Sequence, residues 1–359
     1  MYCFDYFGIV KIKSNKKILD DIFITSCVDE QETDLLINVV DEADYDIGIE
    51  SSSSVKVSNS SVVAYPNEGV LYYGKKFLGR KIFMLLKNIE GKPTEFYIAN
   101  SLLKFVKIPL PMIDLPRFSD ILNSLLLVKL ISKGFTLAHA ALVSSPFGGI
   151  TISAYPDTGK TTTSLLLSKE PGFKALSDDT IAINSSGECY GQSITGIGLG
   201  TLAEQDLFKG ELKIRFMKSR YLLGRLFSYF SKIPLLPDLG TKLLTVKIDD
   251  LKSCLNISKG NIRSKYLFFL EIGKENIIPI SAKDAERKFM AICKREQYFF
   301  DNNFLLLLYS YFNDKFDFFN VLLERDKILS SFVKKVDAYI IRAEKPMEFA
   351  KTILRFFKK

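Results

Sequence analysis

Lys160 and Thr161 follow a glycine at the junction of two apolar runs, and the chemistry of this chain is concentrated there. The residues Ala154, Tyr155, Pro156, Asp157, Thr158, Gly159, Lys160, Thr161 and Thr162 come close to G-x-x-x-x-G-K-[ST], the pattern of a phosphate-binding P-loop. Ile150 to Ser153 ahead of them predicts a strand, and the apolar stretch Ser164 to Leu167 behind them predicts a helix. Strand, loop, helix is the setting this pattern requires. Gly159 lets the backbone come close to a phosphate, and the helix turns its first N–H groups and the positive end of its dipole towards the anion. Lys160 is long enough to reach the β- and γ-phosphates, and the Thr161 hydroxyl can complete the coordination of Mg²⁺. One position departs from the pattern: Ala154 stands where the first glycine is expected, and alanine tolerates positive φ poorly.

Two further features flank the loop. Lys174 to Ser177 predicts a strand ending in Asp178-Asp179, separated from the first strand by a helix of the length a βαβ crossover needs. Carboxylates at the C-terminal end of such a strand belong where a metal-bound phosphate sits, although they also fit a turn or a helix cap. His139, the single histidine, lies 21 positions before Lys160 and opens the strand Ala140 to Val143. That strand is expected to pair with Ile150 to Ser153 through the turn Pro146-Phe147-Gly148-Gly149. A lone histidine beside an apolar run also fits a satisfied core residue.

Taken together, His139, the hairpin, the P-loop and Asp178-Asp179 resemble the catalytic domain of HPr kinase/phosphorylase. Thr158 to Thr162 followed by Ser164 is similar to the loop of ATP-dependent phosphoenolpyruvate carboxykinases. Gly198-Leu199-Gly200 matches a third element of the family, and the resemblance covers roughly residues 116 to 210. It implies an α/β (α+β) P-loop kinase domain that uses ATP and Mg²⁺. It also implies Asp178 as general base towards an acceptor hydroxyl, Asp179 with Thr161 on the metal, and His139 as a partner of an aspartate or of the transferring phosphate. The residues by themselves do not distinguish the two aspartates. Where the family carries a metal-associated Glu and an Arg, this chain has Thr195 and Ile197, which argues against HPr as the acceptor and against phosphorolysis. Three readings stay open: a kinase acting on a hydroxyl of a protein, a peptide or a metabolite; a carboxykinase-type phosphotransferase; and a nucleotide-binding sensor or scaffold without turnover. Relatives form hexamers, so a homo-oligomer is compatible with the resemblance.

The rest of the chain must position these groups. Its 359 residues suffice for one large or two ordinary domains, and 47% apolar against 25% charged residues excludes disorder as the default. Net charge is +8, with 19 Lys/Arg against 23 Asp/Glu in residues 1–204 and 30 against 18 in residues 205–359. The basic half suits solvent or an acidic or phosphorylated partner; no aromatic-basic motif accompanies it, which argues against nucleic acid. Cys3, Cys27, Cys189, Cys254 and Cys293 show no metal or redox spacing, so reduced thiols in a cytoplasmic protein are expected. No secretory leader opens the sequence, and no apolar run is long enough to span a bilayer.

Residues 1–110 carry short alternating apolar stretches between turn signals and predict a β-rich domain without chemistry of its own; Asp41, Glu42, Asp44 and Asp46 read as a solvated loop. Pro109 to Pro116 reads as a linker, which gives domains of 1–110 and 111–359. A helix over 118–132 ending near Gly134 leads to the His139 strand. Further on, Leu202 to Phe230 predicts a basic helix, Leu243 to Ile248 and Tyr266 to Glu271 strands, and Ser281 to Arg295 a helix capped by Ser281 with Asp284. A helix over Asn302 to Asn313, a strand over Ala338 to Arg342 and an amphipathic helix over Pro346 to Phe357 close the chain.

Overall fold

Alternating apolar residues build the first sheet and a ring of strands builds the second. The computed structural model describes residues 1–19, 24–26, 32–41, 54–57, 62–77, 80–105, 118–192, 196–198, 245–247 and 255–358. The chain is mixed α/β, with two eight-stranded or near eight-stranded sheets. It divides into two compact units, Met1–Gly134 with Gln297–Arg325, and Phe135–Glu296 with Asp326–Lys359. The helices are α1 (Asn100–Phe105), α2 (Phe118–Ser132), α3 (Lys160–Leu167), α4 (Ala282–Glu296), α5 (Tyr298–Asp301), α6 (Phe304–Phe312), α7 (Phe318–Val333) and α8 (Glu348–Lys358).

The first unit holds β1 (Tyr2–Tyr6), β2 (Val10–Ser14), β3 (Leu35–Val40), β4 (Val55–Lys56), β5 (Val62–Tyr65), β6 (Val70–Phe77), β7 (Arg80–Lys87) and β8 (Thr94–Ala99) in the order β1-β2-β3-β8-β7-β6-β5-β4. Leu35, Ile37 and Val39 of β3 are buried with Phe96 and Ile98 of β8, the period of two expected of a sheet with one face on a core. The β2–β3 and β3–β8 joints are parallel. Residues 297–325 belong to this unit for identifiable reasons. Asn303 caps α6 by accepting from the Leu306 N–H (3.1 Å) while its Nδ2 donates to Ser124 Oγ of α2 (2.8 Å). The Tyr309 hydroxyl accepts from the Ile89 N–H (3.2 Å). The division therefore differs from a single boundary near residue 110. The linker region 109–116 lies outside the described residues.

The second unit holds β9 (Phe135–Ser145), β10 (Gly148–Ser153), β11 (Lys174–Ser177), β12 (Thr180–Asn184), β13 (Glu188–Gly191), β14 (Gly196–Gly198), β15 (Thr245–Lys247), β16 (Gly260–Ile272), β17 (Asn276–Pro279) and β18 (Asp337–Ala343). The long strand β16 pairs with β13 through 260–263, with β10 through 264–269 and with β18 through 266–272. Because β10 also pairs with β9, β9 with β12 and β12 with β13, these five strands close a ring. Alternation sorts its side chains. Ala138, Ala140, Leu142, Leu267 and Phe269 pack against Phe289 and Ile292 of α4, while Ala141, Val143, Ile152 and Phe268 pack towards Leu167 of α3 and Phe349 and Ile353 of α8.

Several expectations change here. β11 runs in the same direction as β10 but is not its neighbour: both are antiparallel to β9, which lies between them. His139 sits within β9 rather than opening it, because the strand begins at Phe135. Cys3 is disulfide-bonded, whereas Cys189 and Cys293 are buried thiols outside any disulfide; separation along the chain does not limit approach in space. Helix α7, which no periodicity had marked, buries Leu329 and Phe332. The capped helix near Ser281 forms as expected, with the Asp284 N–H donating to Ser281 Oγ (3.1 Å). The basic helix expected over 202–230 and residues Thr195, Leu199 and Gly200 lie outside the described residues. Among the described residues no helix is long and apolar enough to cross a membrane.

Candidate functional site

The loop forms where β10 stops. Ile150 and Ile152 anchor that strand in the core, and Gly159 begins α3 with φ 119°. A side chain there would be strained and would bring its Cβ to 2.8 Å from the Pro346 Cβ, so glycine is required twice over. Ala154, in contrast, is not among the positive-φ residues; besides Gly159, the left-handed position in this loop is Asp157, φ 61°. The alanine in place of the first glycine therefore costs the turn nothing. The first α-helical bond runs from the Thr163 N–H to the Gly159 carbonyl (2.9 Å), Gly159 offers no side chain as a cap, and the first turn of α3 borders a cavity.

Lys160 turns back under the loop. Its Nζ lies 2.7 Å from His139 Nε2 and donates to the Ala154 carbonyl (3.0 Å). On the other side of the ring, His139 Nδ1 is 3.4 Å from Asp179 Oδ1. Lysine holds its proton far more tightly than imidazole, so Nε2 accepts from the ammonium and the ring proton resides on Nδ1, facing Asp179. Burial pushes the His139 pKa down, and the Lys160 cation adds to it. Burial also lowers Lys160, opposed by Asp179, Glu296, Asp157 and Asp178. Ser153 Oγ donates to the His139 carbonyl (3.1 Å) and ties the end of β10 to β9 at this point.

Asp178 and Asp179 share the short turn between β11 and β12, closed by Ser177 Oγ donating to the Thr180 carbonyl (2.7 Å). Successive side chains diverge, and the two acids end in different surroundings. Asp179 is exposed; Asp178 is half-buried, and burial raises its pKa to about 6, with the Asp179 charge acting in the same direction.

A cavity of about 620 Å³ is lined by His139, Pro156, Asp157, Gly159, Lys160, Thr161, Thr162, Asp179, Glu296 and Pro346. The tertiary structure thus brings His139, Lys160, Thr161, Thr162 and Asp179 together around one space. It leaves Ala154, Tyr155, Thr158 and Asp178 off the lining, although Ala154 bonds Lys160 through its carbonyl. Glu296, Arg295 beside it and Pro346 were not marked by the sequence. They arrive from the C-terminal end of α4 and from the segment after β18, with no spacing to announce them. Arg295 Cζ lies 5.5 Å from the centre of the Tyr155 ring, and its Nη1 is 3.7 Å from Glu296 Oε1. No group of three or more His, Cys, Asp or Glu side chains comes together as a metal cage among the described residues. A nucleotide-bound Mg²⁺ does not require one, since it keeps waters and takes one or two carboxylates beside the phosphates.

No family model matches this chain, and no curated protein matches it either.

Proposed function

We propose that the unit containing β9 to β18 binds ATP with Mg²⁺ and transfers the γ-phosphoryl group to a hydroxyl acceptor, in the manner of the HPr kinase/phosphorylase family that its motifs resemble. One observation carries this reading: Lys160, His139 and Asp179 form a continuous chain of contacts along a cavity at the amide end of α3. A cavity of this size suits a nucleotide. Phosphoryl transfer asks little covalent chemistry of a protein and much positioning and charge.

In this proposal the α3 amides and Lys160 Nζ hold the β- and γ-phosphates. The Thr161 hydroxyl and the Asp179 carboxylate fit Mg²⁺, both being hard oxygen donors on the cavity wall. When bound, the ion neutralises charge on the phosphate oxygens. His139 keeps Lys160 and Asp179 in register through its two ring nitrogens. Asp178, whose raised pKa makes it a stronger base than an ordinary carboxylate while leaving it ionised at pH 7, accepts the proton of the acceptor hydroxyl. The acceptor oxygen forms a bond to the γ-phosphorus, the bond to the β–γ bridging oxygen breaks, and ADP leaves with the electron pair. Lys160→Ala is expected to abolish ATP binding by calorimetry; unchanged affinity in that variant excludes the site.

A second reading, nucleotide binding without transfer, is favoured by the position of Asp178 off the cavity lining. ADP formation measured with and without cell extract separates the two: turnover in extract supports the kinase, and a stable ATP complex with no turnover supports the sensor.

A further inference from the structure

Among the described residues lining the cavity, Lys160 is the single cationic side chain, against three carboxylates, those of Asp157, Asp179 and Glu296. A triphosphate brings several further negative charges, and one lysine with one divalent ion leaves that balance negative. A second cation lies off the lining but next in sequence to one of its residues. Arg295 occupies the last turn of α4, where its neighbour Glu296 faces the cavity, and its guanidinium lies against the ring of Tyr155, a residue of the loop itself. Its charge is among the smaller contributions that lower His139, so it stands within electrostatic reach of the cavity wall. Half its side chain is exposed (54%), as is that of Tyr155, so neither is fixed in a packed core. The contacts that hold it are weak ones: a ring face and a carboxylate at 3.7 Å.

We propose that Arg295 is the γ-phosphate ligand of this site, held beside the loop by Tyr155 and Glu296 and drawn onto the terminal phosphate of a nucleoside triphosphate. The inference rests on the nucleotide reading above and extends it. A planar guanidinium can take two phosphate oxygens at once, a geometry the Lys160 ammonium lacks. Glu296, beside it in sequence and on the cavity wall, is released towards the cation that accompanies the phosphates. A ligand with this arrangement distinguishes a triphosphate from a diphosphate by the group that Arg295 touches.

The test uses the full chain, Mg²⁺ and isothermal titration with ATP and with ADP. The wild-type protein is expected to bind ATP more tightly than ADP. Arg295→Ala should weaken ATP by roughly 10- to 100-fold, the range of a charge-assisted contact, and leave ADP within about twofold. Arg295→Lys should fall between, because charge is kept and the paired geometry is lost. Matching melting curves for the three proteins establish that folding is intact. If Arg295→Ala retains the wild-type ratio of ATP to ADP affinity, Arg295 is not the γ-phosphate ligand, while the nucleotide reading stands. If wild-type protein binds neither nucleotide, or Lys160→Ala binds both normally, the nucleotide reading and this inference fall together.

Discussion

Replacing Asp178 by Asn should make the fold more stable at neutral pH and, under the proposed function, remove phosphoryl transfer. The folded carboxyl group has its pKa raised from 3.8 to about 6 by burial, with Asp179 adding repulsion. A group whose folded pKa lies above its unfolded value stabilises the native state while protonated. That contribution is complete below the unfolded pKa and disappears as pH rises through the folded one, here between about pH 4 and pH 6. A shift of about two units corresponds to about 3 kcal/mol, and some solvent access at Asp178 reduces this to about 2–3 kcal/mol. Asparagine has nearly the same shape and no charge to desolvate. The stability difference between variant and wild type is therefore expected to be small at pH 4, to grow to pH 6 and to be flat from pH 7 to 8. Urea unfolding at a series of pH values measures it, and titration of ATP shows whether binding survives. A variant no more stable than wild type at pH 7, or a gain independent of pH, would refute burial as the cause of the raised pKa. Near-normal transfer by the variant would remove Asp178 as the base.

Two further substitutions probe the frame of the site. Gly159→Ala forces a side chain into φ 119° and to 2.8 Å from Pro346; it should cost about 1–3 kcal/mol and lower ATP affinity at least tenfold, and Pro346→Gly in the same protein should recover the part owed to the contact but not the part owed to φ. Phe289→Ala in α4 removes a fully buried ring stacked on Phe332 at 5.6 Å between centroids and should lower stability by about 3–5 kcal/mol, read as a fall in melting temperature.

Much of the site was legible because the information is local. The strand, loop and helix around Lys160 follow from an apolar run, a glycine and the residues after it, and the hairpin from Gly148 with its neighbours. The β-rich character of the first unit followed from alternation, and the ends of α2 and α4 from Gly134 and Ser281. What escaped is what arrives from elsewhere in the chain. β9 inserts between β10 and β11, so a crossover that looked like a neighbouring pair joins two strands that do not touch. The segment 297–325 returns to the first unit through hydrogen bonds of Asn303, Tyr309 and Asn313 to residues far away in sequence, which leave no periodic trace.

The same division runs through the chemistry. Residue types and spacing alone determined that a Gly-Lys-Thr loop between an apolar run and a helix, a histidine 21 positions earlier and two adjacent acids are present. Backbone preferences act over a few residues, and the pattern of a turn and a helix start is written in those residues. Only the tertiary structure decided which acid faces the cavity, that Ala154 needs no left-handed backbone, that Pro346 closes on Gly159, and that Arg295 and Glu296 stand beside the loop. Those outcomes depend on how strands pair and helices pack, where the contacts are nearly independent of distance along the chain.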